Sequence, residues 1–175
     1  TQLIHLQLLH EDQMEALKRL DATLTFQITH NFHFADFHHE QTFGPERTAK
    51  LNPMKSALDR GLSVTFHHDS PVHPVNQMDL IWIATHRSSR SGRVYGPEER
   101  LTPYQALRAS TLESAWQFFG EDRKGSLVIG KLADLVILFA NPLKVDLEKI
   151  KDIQILETIK EGQGIFRRVS SAASL

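Results

Sequence analysis

Three times within its first 69 residues the chain ends an apolar run on side chains that can bind a metal. QLIH stops at His5, TLTFQIT stops before His30, and LSVTF stops at the group His67, His68 and Asp69. Between these runs lie segments of helical character. HEDQMEALKRL spaces Met14, Leu17 and Leu20 three apart, and NPMKSALDRG carries Pro53 at its start and Gly61 past its end, the usual asymmetry of helix termini. A repeated order of strand, polar residue and helix is the signature of parallel α/β architecture, whose active sites lie at the carboxyl ends of the strands. Imidazoles and a carboxylate at successive strand ends therefore point to one shared site. Three strands do not close a (β/α)₈ barrel of about 250 residues, so this 175-residue chain is expected to hold part of one. The opening TQLIHLQLL, strand-like from its second residue, reads as a chain cut inside a fold.

The rest of the chain divides by character. Asn31 to Ala49 has aromatics and histidines without a sustained period and reads as a long loop. After Asp69 come an apolar helical patch and an Arg/Ser/Gly-rich loop. LTPYQALRASTLESAWQFF then reads as one helix, with Thr102 as N-cap, Pro103 at the first helical position and Gln105 completing a capping box. Its expected apolar face is Leu107, Ala115, Phe118 and Phe119. From Gly120 to Arg168 glycine turns and β-branched runs suggest a small β module, with extended pieces at Ile153 to Ile159 and Gly164 to Arg167 joined by a turn at Glu161-Gly162. The expected organisation is thus 1–119 barrel segment, 120–168 β module and 169–175 disordered tail.

Charge and composition exclude several roles. Lys and Arg total 20 against 21 Asp and Glu, a net charge of -1, which offers no general attraction for nucleic acid or an anionic membrane. With no cysteine, any bound metal must use histidine and carboxylate. No apolar run reaches the roughly 18 residues of a membrane span, and the first residues lack a signal-peptide layout, so the cytoplasm is the default expectation.

Three stretches carry a family resemblance. LIHLQ (Leu3 to Gln7) is similar to an I-E-H-x-Q segment, HHDSPV (His67 to Val72) to an S-D-x-P-V segment, and the long ordered run GSLVIGKLADLV (Gly125 to Val136), with the helix before it, to a return into a β-sandwich. Together they resemble the C-terminal third of the amidohydrolase superfamily, in the branch that includes N-substituted formamide deformylases and YtcJ-like metal-dependent hydrolases. The resemblance implies the last three βα units of a (β/α)₈ barrel plus part of a small β-sandwich. It also implies one or two divalent metals, usually zinc, and hydrolysis of a non-peptide C–N bond in a small-molecule substrate. His5 takes the place of the strand-six metal ligand and Asp69 that of the strand-eight aspartate; the family's remaining ligands would lie upstream. Ile4 stands where the family has Glu, and His68 where it has a small residue.

Under this reading His5 and Asp69 are metal ligands, and Asp69 is also the proton shuttle. His30 and His68 are the substrate-binding candidates, His30 toward substrate or oxyanion. Arg87 is the candidate for an anionic substrate group, with a solvated Arg/Ser loop as the plainer account. His67 and His68 lie on opposite sides of their strand, so one of them is expected in the core. His33, His38 and His39 read as surface residues; a metal-storage role for them is the remotest alternative. The main competing reading is a non-catalytic regulatory relative, similar to regulators of exoenzyme production. Exposed strand edges and apolar helix faces in a partial barrel predict a homo-oligomer.

Overall fold

The computed structural model describes residues 1–169, so the expected disordered tail falls, but for Val169, outside the described residues. Three strands, β1 (Gln2–His5), β2 (Thr23–Phe26) and β3 (Val64–Phe66), form a parallel sheet in the order β1-β2-β3. The centre strand is buried on both faces, and so is β3, as the unbroken apolar and β-branched runs TLTF and VTF require. Each parallel crossover is helical: α1 (Glu11–Arg19) buries Met14 and Leu17, and α5 (Met54–Asp59) buries Met54 and Ala57. Leu20, expected on the buried face of α1, is exposed because the helix has already ended at Arg19.

Asn31 to Ala49 is not a loop. It folds as α2 (Thr29–His33), α3 (Ala35–Phe37), a π-helical turn (His38–Thr42) and α4 (Gly44–Ala49). Each piece is too short to repeat a hydrophobic period, which is why the sequence shows none. The apolar patch after Asp69 is α6 (Gln77–His86), capped by the Asn76 side chain accepting the Met78 N–H at 3.2 Å. It is apolar all round, and Leu80 to Thr85 are buried on every side, as such a helix must be.

The segment expected as one helix from Thr102 is two: α7 (Pro103–Ser110) and α8 (Leu112–Gln117), broken at Thr111. The capping box of Thr102 and Gln105 forms as expected. Ala106, Ala109, Ala115 and Gln117 are buried, whereas Phe118 and Phe119, past the end of α8 at Gln117, are 70% and 90% exposed.

Beyond α8 an antiparallel sheet, β4-β5-β6, is built from β4 (Leu135–Leu138), β5 (Ile155–Lys160) and β6 (Gln163–Arg167). Glu161 and Gly162 both have positive φ (51° and 80°), the mirror-image turn that suits a tight hairpin. Ile150 and Ile153, just before β5, pack into the same apolar core as Leu24, Val64 and Ile83. Among the described residues no helix is long and apolar enough to cross a membrane.

Candidate metal centre

The parallel register brings the strand ends level: His5 lies opposite Phe26, and Phe26 opposite Phe66. The ladder runs one step further, since the Gln27 N–H donates to the His5 carbonyl (3.3 Å) and the His67 N–H to the Phe26 carbonyl (3.1 Å). His5, Gln27 and His67 therefore stand side by side, and Asp69 joins them. His5 Nε2 is 3.9 Å from Asp69 Oδ2, and the His5 and His67 rings are 5.2 Å apart. Each of His5, His67 and Asp69 offers one ligand atom, and these lie within 4.8 Å of one another. His5 and Asp69 both have left-handed backbone (φ 77° and 57°). Few non-glycine residues adopt it, histidine and aspartate among the more tolerant, and such strain concentrates at working sites.

Buried amides hold this group in place. The Gln27 side chain donates to Asp69 Oδ2 at 2.9 Å. The Gln7 amide donates to His30 Nδ1, which leaves the neutral ring's proton on Nε2. Burial pushes the His30 pKa down to about 4, with His38 and His5 adding to the effect and the Asp69 carboxylate opposing it. Burial likewise lowers the His67 pKa, with His5 reinforcing and Asp69 opposing. Neutral imidazole is the form a metal binds. Asn52 ties the strand ends together: its N–H donates to the Gln7 carbonyl (2.8 Å), and its side chain to Asn31 Oδ1 (2.7 Å) and the Gln27 carbonyl (3.4 Å).

Arg87 lies outside this group and cannot meet a substrate. Its side chain is fully buried, and its guanidinium donates to the carbonyls of Tyr95 (2.9 Å), Asn52 (3.3 Å) and Leu51 (2.6 Å). Burial lowers its pKa to about 10, with Glu99 and Glu98 opposing, so it stays charged at neutral pH. Arg87 is a structural clamp on the loop that carries Asn52. His68 is turned away as well: its Nε2 accepts the Asn76 N–H at 3.0 Å, and its ring stacks near His73 at 6.0 Å. Neither His67 nor His68 enters the core, because the buried strand ends at Phe66 and both are half-buried.

Four other histidines are engaged elsewhere. His33 Nε2 meets His73 Nδ1 at 2.9 Å, His38 bonds Thr42 and stacks on Phe43, and His39 lies against Tyr95. Among the described residues they form no metal-holding group, in contrast to His5, His67 and Asp69. Gln7 closes the LIHLQ segment, whereas sequence reasoning misses Gln27. The available signal was a polar residue inside the apolar alternation TLTFQIT, one step beyond a strand end.

A divalent cation fits these donors. Two imidazoles and a carboxylate suit zinc and similar ions, and His67 Nε2 is buried without a hydrogen-bond partner. The chain is similar to known proteins over most of its length. The N-substituted formamide deformylase of Arthrobacter pascens is 30% identical over 122 residues, covering 70% of this chain and 22% of that protein. YtcJ of Bacillus subtilis (strain 168) is 26% identical over 170 residues, covering 95% of this chain and 32% of that protein. The crystal structure of an uncharacterized metal-dependent hydrolase from Pyrococcus horikoshii matches 84% of this chain and 30% of its own, with a TM-score of 0.72 and 26% identity. The chain thus spans a third or less of the length of these relatives. Residues 1–166 match the amidohydrolase family, and the chain belongs to that family.

Proposed function

We propose that this chain contributes the last three βα units of a (β/α)₈ barrel and part of a β-sandwich to a metal-dependent amidohydrolase. The whole protein, on this reading, hydrolyses a non-peptide, amide-type C–N bond of a small molecule. The observation that carries it is the convergence of His5 and Asp69, 3.9 Å apart, at the carboxyl end of a parallel sheet. His5 and Asp69 would hold the metal, zinc by the chemistry of the donor set, together with ligands from outside this chain. Bound there, the metal would supply water whose pKa is lowered toward neutrality and would polarise the substrate carbonyl. Asp69 accepts the water's proton and passes it to the leaving nitrogen. Gln27 keeps the carboxylate aimed while that happens, because one oxygen is engaged by its amide and the other is left to move the proton. His30, with its proton on Nε2, donates to the substrate oxygen as negative charge builds there.

The test compares this chain with a longer polypeptide in which the upstream part of an amidohydrolase precedes it, both supplied with zinc and a panel of N-substituted amides. Turnover by the longer form alone, lost in Asp69→Asn by about 10²-fold or more, is the expected result. Equal turnover by the 175-residue chain, or unchanged turnover by Asp69→Asn, would overturn the proposal.

A further inference from the structure

We infer that His67 is a third metal-binding side chain, and that His5, His67 and Asp69 already bind one divalent cation in this chain, before donors from outside it are added. The inference rests on the metal centre proposed above and adds to it a ligand beyond His5 and Asp69. Three observations carry it. First, the ligand-capable atoms of the three side chains already lie within 4.8 Å of one another, so small side-chain rotations bring them onto one ion. Second, the His5 and His67 rings sit 5.2 Å apart and tilted by 33°, and neither ring bonds the other. His67 Nε2 is buried with no hydrogen-bond partner. A buried polar atom left unpaired needs an explanation, of which a bound ion is one. Third, the position is held from the backbone: the His67 N–H continues the sheet ladder to Phe26, and His67 comes together with Asp69 whereas His68 is taken by the Asn76 N–H.

The contrast between His67 and His68 makes this testable. His68 is equally a strand-end imidazole, but its Nε2 is used by the Asn76 N–H. Two imidazoles and one carboxylate would be the donors from this chain, leaving room on the ion for donors from outside it and for water or substrate.

The experiment titrates the full 175-residue chain with Co²⁺ at pH 7.5, following the visible absorption of the bound ion and its stoichiometry by equilibrium dialysis. One ion per chain is expected, with binding weakened more than about tenfold in His67→Gln and within twofold of the parent in His68→Gln. Far-UV circular dichroism and thermal unfolding without metal check that His67→Gln remains folded. The upward shift of its unfolding temperature with Co²⁺ should be lost, while that of His68→Gln is kept. Unchanged binding in His67→Gln, with binding lost in His5→Ala and Asp69→Asn, would overturn the role of His67 and leave the two-ligand centre standing. Unchanged binding in all three would remove both. No binding by the parent chain, with a metal found in the longer polypeptide, would overturn the inference alone.

Discussion

The parallel and antiparallel sheets are built from similarly apolar strands, but the chain covers them differently. In the parallel sheet Leu24, Phe26, Val64 and Phe66 are buried; in the antiparallel one Val136, Ile137, Ile165 and Phe166 are exposed, as are Leu127, Val128 and Ile129 on the way into it. Helices α1, α5 and α6 contribute to the core around the first sheet, whereas the second meets that core mainly through Ile150 and Ile153. Polar groups follow the same division. Around the parallel sheet Arg87, Asn52, Gln27 and Thr65 are buried, and their side-chain donors are matched to acceptors. Beyond Gly120 the charged side chains of Lys160, Glu161 and Arg168 are at the surface. One half is organised by its own residues around a site; the other presents apolar strands that its own residues leave uncovered.

The largest effect separating the halves should come from Arg87→Ala. It strips donors from the carbonyls of Leu51, Asn52 and Tyr95 and leaves a cavity beside them. At about 1–3 kcal/mol for each buried group left unpaired, the loss should reach at least about 3 kcal/mol, read as the shift in urea midpoint by circular dichroism. Ile129→Asn, at a fully exposed position of the antiparallel half, should stay within about 0.5 kcal/mol. Similar losses in both variants would erase the distinction between the halves.

A smaller effect should appear in association. The sheet order leaves the outer edge of β1 unpaired, and Ile4 beside it is exposed, but the larger apolar surface is the stretch Leu127 to Ile129 with Val136 and Phe139. Light scattering should show the chain self-associating at micromolar concentration, and Leu127→Glu combined with Ile129→Glu should shift it toward monomer. Ile4→Glu alone should do less. A monodisperse monomer for the parent chain would mean that the antiparallel half needs no cover.

The same division decides what could be read before the fold was known. The βα order, the capping box at Thr102 and the turn at Glu161-Gly162 were legible because each depends on residues close in sequence. The meeting of His5 with Asp69 was legible only through a rule about parallel strand ends, which supplies the long-range step that spacing lacks. Arg87 shows where this stops: in THRSSRSGR it looks solvated, and only the approach of residues 51 and 52 makes it a buried clamp. Phe118 and Phe119 show the reverse, apolar residues that fall past the end of α8 at Gln117 and stay outside. His67 and His68 are chemically identical, and the sequence placed them on opposite sides without saying which faces the site; the Asn76 N–H takes His68.

Protonation should give the smallest and most local contrast, because all ten histidines lie in the first 86 residues and none in the antiparallel sheet. Burial lowers the His73 pKa, with Asp79 opposing at 3.9 Å and His68 reinforcing; burial, Arg90 and His73 lower that of His33. Both rings face each other through His33 Nε2 and His73 Nδ1, so a second proton on the pair has no place in the hydrogen bond they share. Folded-state values below the ordinary 6.5 mean that the unfolded chain takes up protons first as pH falls. Their contribution is therefore complete above about pH 6.5 and is lost as pH drops through the folded values. Urea midpoints should decline from pH 7.5 toward pH 5, and His73→Gln should flatten part of that decline. Leu127→Glu with Ile129→Glu, changing only the histidine-free half, should leave the slope of the parent chain. A slope that followed the second variant rather than the first would place the titrating groups in the wrong sheet.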